Sequence, residues 1–184
     1  DGADFVARAQ DACGITVRVL SGNEEGYYSA LGVAAAIPTA SGVVGDLGGG
    51  SLELVCLNDG TAGAPMTLPL GPLHFDGGLP TPDHVDDILA RTKGLGSHKG
   101  STLYCVGGVW RTLARVHMRQ HQAPLQIVHE YRVKAREFSQ FAELLTNLSP
   151  GSLAALQGVP SKRAPAVPVG ALVLSRLISA LQPS

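Results

Sequence analysis

The stretch Gly45-Asp46-Leu47-Gly48-Gly49-Gly50-Ser51-Leu52-Glu53 decides how this chain is read. Val43 to Leu47 is apolar and β-branched at its start, so it reads as a strand with the Asp46 carboxylate near its end. Three glycines then let the backbone turn and bring successive N–H groups close to a ligand, and such N–H groups form an anion-binding nest. Ser51 adds a hydroxyl donor. Glu53 lies two residues on, so it shares a face of the next strand with Ser51. A carboxylate on each side of a phosphate-sized loop suits a magnesium-bridged phosphate, because Mg²⁺ takes oxygen ligands and keeps several waters. Taken alone, the loop fits a glycine-rich hairpin without a ligand equally well.

Working outward, Leu52 to Leu57 reads as a second strand and Met66 to Leu70 as a third, with Asn58-Asp59-Gly60 as a hairpin signal after the second. Upstream, Phe5, Val6, Ala9 and Cys13 have helical spacing over Asp1 to Cys13, with Gly14 as a stop. Ile15 to Leu20 reads as a strand. Ser21-Gly22-Asn23-Glu24-Glu25 opens a helix with Tyr28, Leu31 and Ala35 inward. The turn Pro38 to Gly42 marks a lobe boundary. Residues 1–41 then read as the end of an N-terminal lobe, and 42–184 as a second lobe. Downstream, Thr81 caps a helix with Pro82 first and Val85, Ile88 and Leu89 inward. Thr102 to Val106 reads as a buried strand, Trp110 to His117 as a helix, and Leu125 to Val128 as a short strand. Helices over Val133–Leu148, Ser152–Leu156 and Ala166–Leu181 complete the pattern. This is an α/β lobe: a mixed sheet with three antiparallel strands, then parallel crossover strands with flanking helices.

Hydrophobic residues make up 45% of the 184 and charged residues 16%, enough for a sizeable core; with aromatics at 5%, that core is Val, Leu, Ala and Ile. The net charge is −1 with no basic block, which argues against a nucleic-acid groove. Cys13, Cys56 and Cys105 have no C-x-x-C spacing, so neither a disulfide framework nor a zinc site is indicated. Cys56 and Cys105 read as buried thiols, and a reducing, cytoplasmic compartment fits. No apolar run approaches a membrane span, and no signal peptide is visible. The chain starts at Asp1 in front of a helical pattern and reads as a piece of a longer protein.

Two further segments bear on chemistry. Glu24 and Glu25 stand at a strand-to-helix junction, where acids favour the helix dipole, or where one of them acts as a general base. Gly107-Gly108-Val109-Trp110-Arg111 joins a strand to a helix, either as a tight turn or as a phosphate site at a helix N-terminus, with Arg111 adding charge or facing solvent. His117 and His121 have i,i+4 spacing, but no nearby acid completes a metal triad, and they read as surface residues. His129 reads as a core residue, Trp110 as packing, and Asp83, Asp86 and Asp87 as a solvated helix face. There is no G-x-S-x-G elbow and no Walker lysine.

Ser21-Gly22-Asn23-Glu24-Glu25-Gly26, the glycine loop through Leu54, and Gly107 to Arg115 occur in an order that resembles the Ppx/GppA phosphatase family of the actin, sugar-kinase and Hsp70 superfamily. Leu68-Pro69-Leu70-Gly71 and Arg163 with Val169-Gly170-Ala171 resemble later parts of it, so the resemblance covers nearly the whole chain. It implies a ribonuclease H-like, actin-like ATPase lobe. It also implies magnesium-assisted removal of the terminal phosphate of inorganic polyphosphate or guanosine pentaphosphate. By resemblance, Glu25 matches the base, Asp46 and Glu53 the metal site, Gly48, Gly49, Gly50 and Ser51 the phosphate loop, and Gly107 and Gly108 a second contact turn. Gly26, Leu52 and Val109 depart from the family pattern. The family's D-x-G-S-N-S strand and loop, which clamps phosphate from the opposite lobe, is absent from these residues. The expected partner is therefore that missing N-terminal lobe, and the fragment alone is expected to be inactive. The resemblance leaves room for a homodimer. A non-catalytic polyphosphate- or nucleotide-binding module is the alternative, and a kinase would need an acceptor pocket that nothing here identifies.

Overall fold

The computed structural model describes residues 2–183, so Asp1 of the expected first helix lies outside the described residues. The elements in order are α1 (Gly2–Cys13), α2 (Gly22–Ala36), β1 (Gly42–Leu47), β2 (Leu52–Asn58), β3 (Thr61–Ala62), β4 (Met66–Leu68), α3 (Pro82–Arg91), β5 (Thr102–Val106), α4 (Gly108–Gln120), α5 (Ala135–Thr146), α6 (Pro150–Ala155) and α7 (Val167–Leu181). The sheet runs β3-β2-β1-β5, with β4 also paired to β2. β1 and β2 are antiparallel, whereas β5 joins β1 in parallel after the α3 crossover. Asp59 and Gly60 both have positive φ, as a tight type I′ hairpin requires, and carry the chain from β2 into β3.

Alternation along the strands sorts the core into two layers. Val43, Leu47, Leu52 and Leu54 face α3, α4 and α7, together with Trp110, Leu113 and Val116. The Trp110 indole N–H donates to the Gly170 carbonyl at 2.9 Å, and its ring fills the space left by Gly45, so it is a packing residue. Val44, Val55 and Leu57 face the opposite way, against Ala30 of α2 and Ala40.

Several expectations are corrected by this arrangement. Ile15 to Leu20 is not a strand: β1 is the first element of the sheet, and the segment instead ties back to α1 through Val17 N–H and Gln10 Oε1 at 3.0 Å. Tyr28, Leu31 and Ala35 point outward, and the buried face of α2 is Gly26 and Ala30. Leu125 to Val128 forms no strand and β5 is an edge of the sheet; Cys105 is exposed rather than buried. Asp86 is not simply solvated, because it takes a two-pronged pair from Arg176 of α7, 2.7 Å at Nε. His129 is exposed and His117 is buried, the reverse of their reading. Ser161–Leu181, a 3-10 turn running into α7, is long and apolar enough to cross a membrane, with mean hydropathy 1.7 over an 18-residue window; 67% of that window is buried, because α7 packs on α3, α4 and α5.

Candidate functional site

Antiparallel register sets Asp46 directly opposite Glu53, with Leu47 opposite Leu52. Because both leucines enter the larger core, both carboxylates turn to the α2 side. Opposed residues on one face have Cβ atoms about 5 Å apart, and like charges there repel. Glu53 also pairs with Thr67 on β4, so it is enclosed from both sides. It is 2% exposed, and its Oε1 has no hydrogen-bond partner among the described residues. Burial raises its pKa, and the charges of Glu25 and Asp46 raise it further, while a hydrogen bond from Ser51 opposes them.

The descent of α2 onto this carboxylate depends on glycine. A Cβ on Gly22 would lie 2.7 Å from Thr67 Oγ1 and 3.2 Å from Glu53 Oε1; one on Gly26 would lie 3.0 Å from Glu53 Cβ. Glycine at an interior helix position costs about 1 kcal/mol relative to alanine. Here Gly26 lets the helix sit on Glu53.

The first turn of α2 separates its two acids. Glu24 closes a capping box: Glu24 Oε2 accepts from Ser21 N–H at 2.8 Å, and Glu24 N–H donates to Ser21 Oγ at 3.3 Å. Its carboxylate also pairs with Arg18. The Ser21 backbone bond, then the Arg18 bond, hold the Glu24 pKa at about 2. Glu25 is exposed, and its charge acts on Glu53. One turn further along, the Ser29 hydroxyl donates to Asp46 Oδ2, a contact that nothing in the local sequence signalled.

Gly48 N–H donates to Ser51 O at 2.9 Å and closes the loop. None of Gly48, Gly49 and Gly50 has positive φ, so the turn itself does not demand glycine. A Cβ on Gly50 would meet nothing within 4 Å, and one on Gly48 only Ser51 O at 3.5 Å. Gly48 and Gly50 thus leave free space in front of the backbone, whereas a Cβ on Gly49 would lie 3.0 Å from Leu73 Cδ1. Behind the loop, a Cβ on Gly71 would lie 2.2 Å from Gly50 C and 2.3 Å from Ser51 N. Gly71 has an ordinary φ of −70°, so close approach alone requires glycine there. Gly71→Ala is expected to push the loop backbone aside, lowering stability by about 1–3 kcal/mol as an overpacking change. Denaturant unfolding of the two proteins checks it.

β5 runs parallel to β1 with Val106 opposite Asp46, so the Gly107–Gly108 turn leaves the sheet beside Asp46. Gly107 has φ 105°, and a Cβ on it would lie 2.5 Å from Leu47 O and 3.0 Å from Asp46 Oδ1. Gly108 begins α4, whose first N–H groups point out of the helix. Arg163 Nη1 donates to the Gly108 carbonyl at 3.1 Å, and Arg111 Nε donates to the Gly107 carbonyl at 3.2 Å. The topology thus brings Glu25, Asp46, Glu53, the 48–51 loop and the Gly107–Gly108 turn to one end of the sheet, and adds Ser29, Gly71 and Arg163. Arg163 was legible only as part of a later helix start, because its role depends on a contact 55 residues away.

An antiparallel sheet opening on a glycine loop, followed by a parallel crossover into a Gly–Gly helix start, defines a lobe of the actin-like class. The chain belongs to the Ppx/GppA phosphatase family, whose model matches residues 1–184. Its fold is similar to that of an exopolyphosphatase from Cytophaga hutchinsonii, with a TM-score of 0.84 at 19% identity, over 97% of this chain and 63% of that one. It is also similar to a Ppx/GppA family member from Aquifex aeolicus, with a TM-score of 0.72 at 19% identity, over 99% of this chain and 63% of that one. An exopolyphosphatase-like protein matches with a TM-score of 0.80 at 21% identity, over 97% and 63%. The chain therefore spans somewhat under two thirds of these structures.

Proposed function

We propose that the protein carrying this chain hydrolyses the terminal phosphoanhydride of inorganic polyphosphate. The observation that carries this reading is the buried Glu53 carboxylate, unpartnered at Oε1 and set against Asp46 and Glu25 beside an open glycine loop. Three mutually repelling acids weaken the free fold and suit a bound cation and phosphate. Asp46 and Glu53 would hold Mg²⁺; the all-oxygen donor set and the unpartnered Oε1 fit that ion. When bound, it offsets charge on the phosphate oxygens.

The chain's own residues account for the rest. Gly48 N–H is committed to Ser51 O, which leaves Gly49, Gly50 and Ser51 to direct N–H groups at phosphate oxygens. The start of α4 supplies a second set. Glu25 takes a proton from water as the water oxygen attacks the terminal phosphorus. The bond from that phosphorus to the bridging oxygen breaks, releasing orthophosphate and a chain one unit shorter. Positioning and charge stabilisation are most of what such a transfer requires.

Guanosine pentaphosphate presents the same terminal anhydride and is the second substrate of this reading. The test is phosphate release from each compound by the full-length protein, with and without Mg²⁺. Mg²⁺-dependent binding without release would replace hydrolysis by a binding role. Arg163→Ala is expected to raise KM for polyphosphate about tenfold, the scale of one charge-assisted hydrogen bond; steady-state kinetics checks it.

A further inference from the structure

His117 lies in the last turn of α4 and His121 caps its C-terminus one turn on, and α5 brings Glu137 across to both. Glu137 Oε1 lies 3.3 Å from His117 Nε2 and 3.5 Å from His121 Nε2. The ligand atoms of the three residues all fall within 4.8 Å of one another. The two imidazoles stack with centroids 4.1 Å apart, so both ring edges face the same carboxylate. The acid that the local sequence lacks is thus supplied from the next helix.

His117 is 2% exposed, packed between Phe138, Phe141 and Tyr131. Its Nε2 faces the Glu137 carboxylate inside the cluster but lacks hydrogen-bond geometry to it or to any other described residue. The remaining ring nitrogens are engaged elsewhere. His121 Nδ1 is 3.0 Å from the His117 carbonyl oxygen, which can only accept, so in the neutral ring Nδ1 carries the proton and Nε2 has the lone pair. His117 Nδ1 is 2.8 Å from the Tyr131 hydroxyl. Outer partners of this kind fix the orientation of metal-binding imidazoles.

We propose that His117, His121 and Glu137 form a binding site for a divalent transition metal, with Zn²⁺ the best match, that ties the end of α4 to the first turn of α5. Zinc–ligand distances of about 2.0–2.1 Å place tetrahedral ligand atoms about 3.3–3.5 Å apart, the separation both imidazoles have from Glu137. Two imidazoles and one carboxylate favour Zn²⁺ over Mg²⁺ or Ca²⁺, and leave a fourth position for water. The site is distinct from the acid cluster, since His117 is nine residues along α4 from Gly108, about 14 Å at helical rise.

Cobalt titration of the metal-free chain tests this. One Co²⁺ per chain should bind with the strong visible absorption of tetrahedral coordination, and Zn²⁺ should displace it. An all-oxygen octahedral site absorbs far more weakly, so the band separates this site from the Asp46–Glu53 pair. At a hundredfold excess of Zn²⁺ over its Kd, the thermal midpoint should rise by roughly 5 °C or more. His121→Ala and Glu137→Gln, both outside the core, should each weaken binding by about a hundredfold while leaving the metal-free midpoint nearly unchanged. Absence of the tetrahedral band, or equal binding by the parent chain and both variants, overturns the proposal.

Discussion

Glu25→Gln in the full-length protein should lower phosphate release by about 10²–10⁴-fold, the usual contribution of a general base, while substrate binding changes by less than about threefold. The expectation rests on what the two adjacent acids do. Glu24 is occupied by its own helix start, accepting from Ser21 and pairing with Arg18, and its charge is fully developed. Glu25 is solvent-facing, one residue before the glycine that lies on Glu53, and it is coupled by charge to that buried carboxylate. Glu24→Ala should therefore behave differently: loss of the capping box costs about 1 kcal/mol of stability, with turnover largely kept. Single-turnover phosphate release and a binding titration on both variants separate the two roles. If Glu24→Ala loses turnover and Glu25→Gln keeps it, the base is misassigned.

The strands and loops at the centre of the sheet were legible because their signals are local. Asn58-Asp59-Gly60 demands two positive φ values, and the Asp46 strand and glycine loop stand where their local pattern sets them, while the facing of Asp46 and Glu53 comes from the hairpin register. Helix α2 misled by hydrophobic periodicity. Its tyrosines and Leu31 look like an inner face, yet the buried side is Gly26 and Ala30, since only small residues let a helix settle on a sheet that carries a buried acid. Ile15 to Leu20 has strand composition but no neighbouring strand among the described residues to pair with, and pairing rather than composition makes a strand. The contacts of Gly71, Ser29, Arg163 and Glu137 were hidden for another reason. Each acts on a partner distant in sequence, through a contact that exists only once the fold is built.

Replacing Glu53 by Gln should separate stability from function. A carboxyl whose pKa is higher in the folded state holds its proton more tightly when folded. Below the ordinary value of 4.5 it is protonated in both states and adds no penalty. As pH rises through 4.5, the unfolded chain ionises first, and the folded state loses relative stability until its own raised pKa is passed. At neutral pH, without metal, Glu53 thus weakens the fold through burial first, and then through Glu25 and Asp46. Gln removes the charge and offers an amide that can donate toward Asp46. In EDTA at pH 7, the variant's thermal midpoint should exceed the parent's by roughly 2–4 °C, the shift that about 1 kcal/mol produces in a chain of this size. The difference should vanish near pH 4. Mg²⁺ should raise the parent's midpoint and leave the variant's unchanged, and phosphate release by the full-length variant should fall by about a hundredfold or more. A midpoint below the parent's in EDTA would mean that Glu53 is held for packing. An equal response of both proteins to Mg²⁺ would remove it from the metal site.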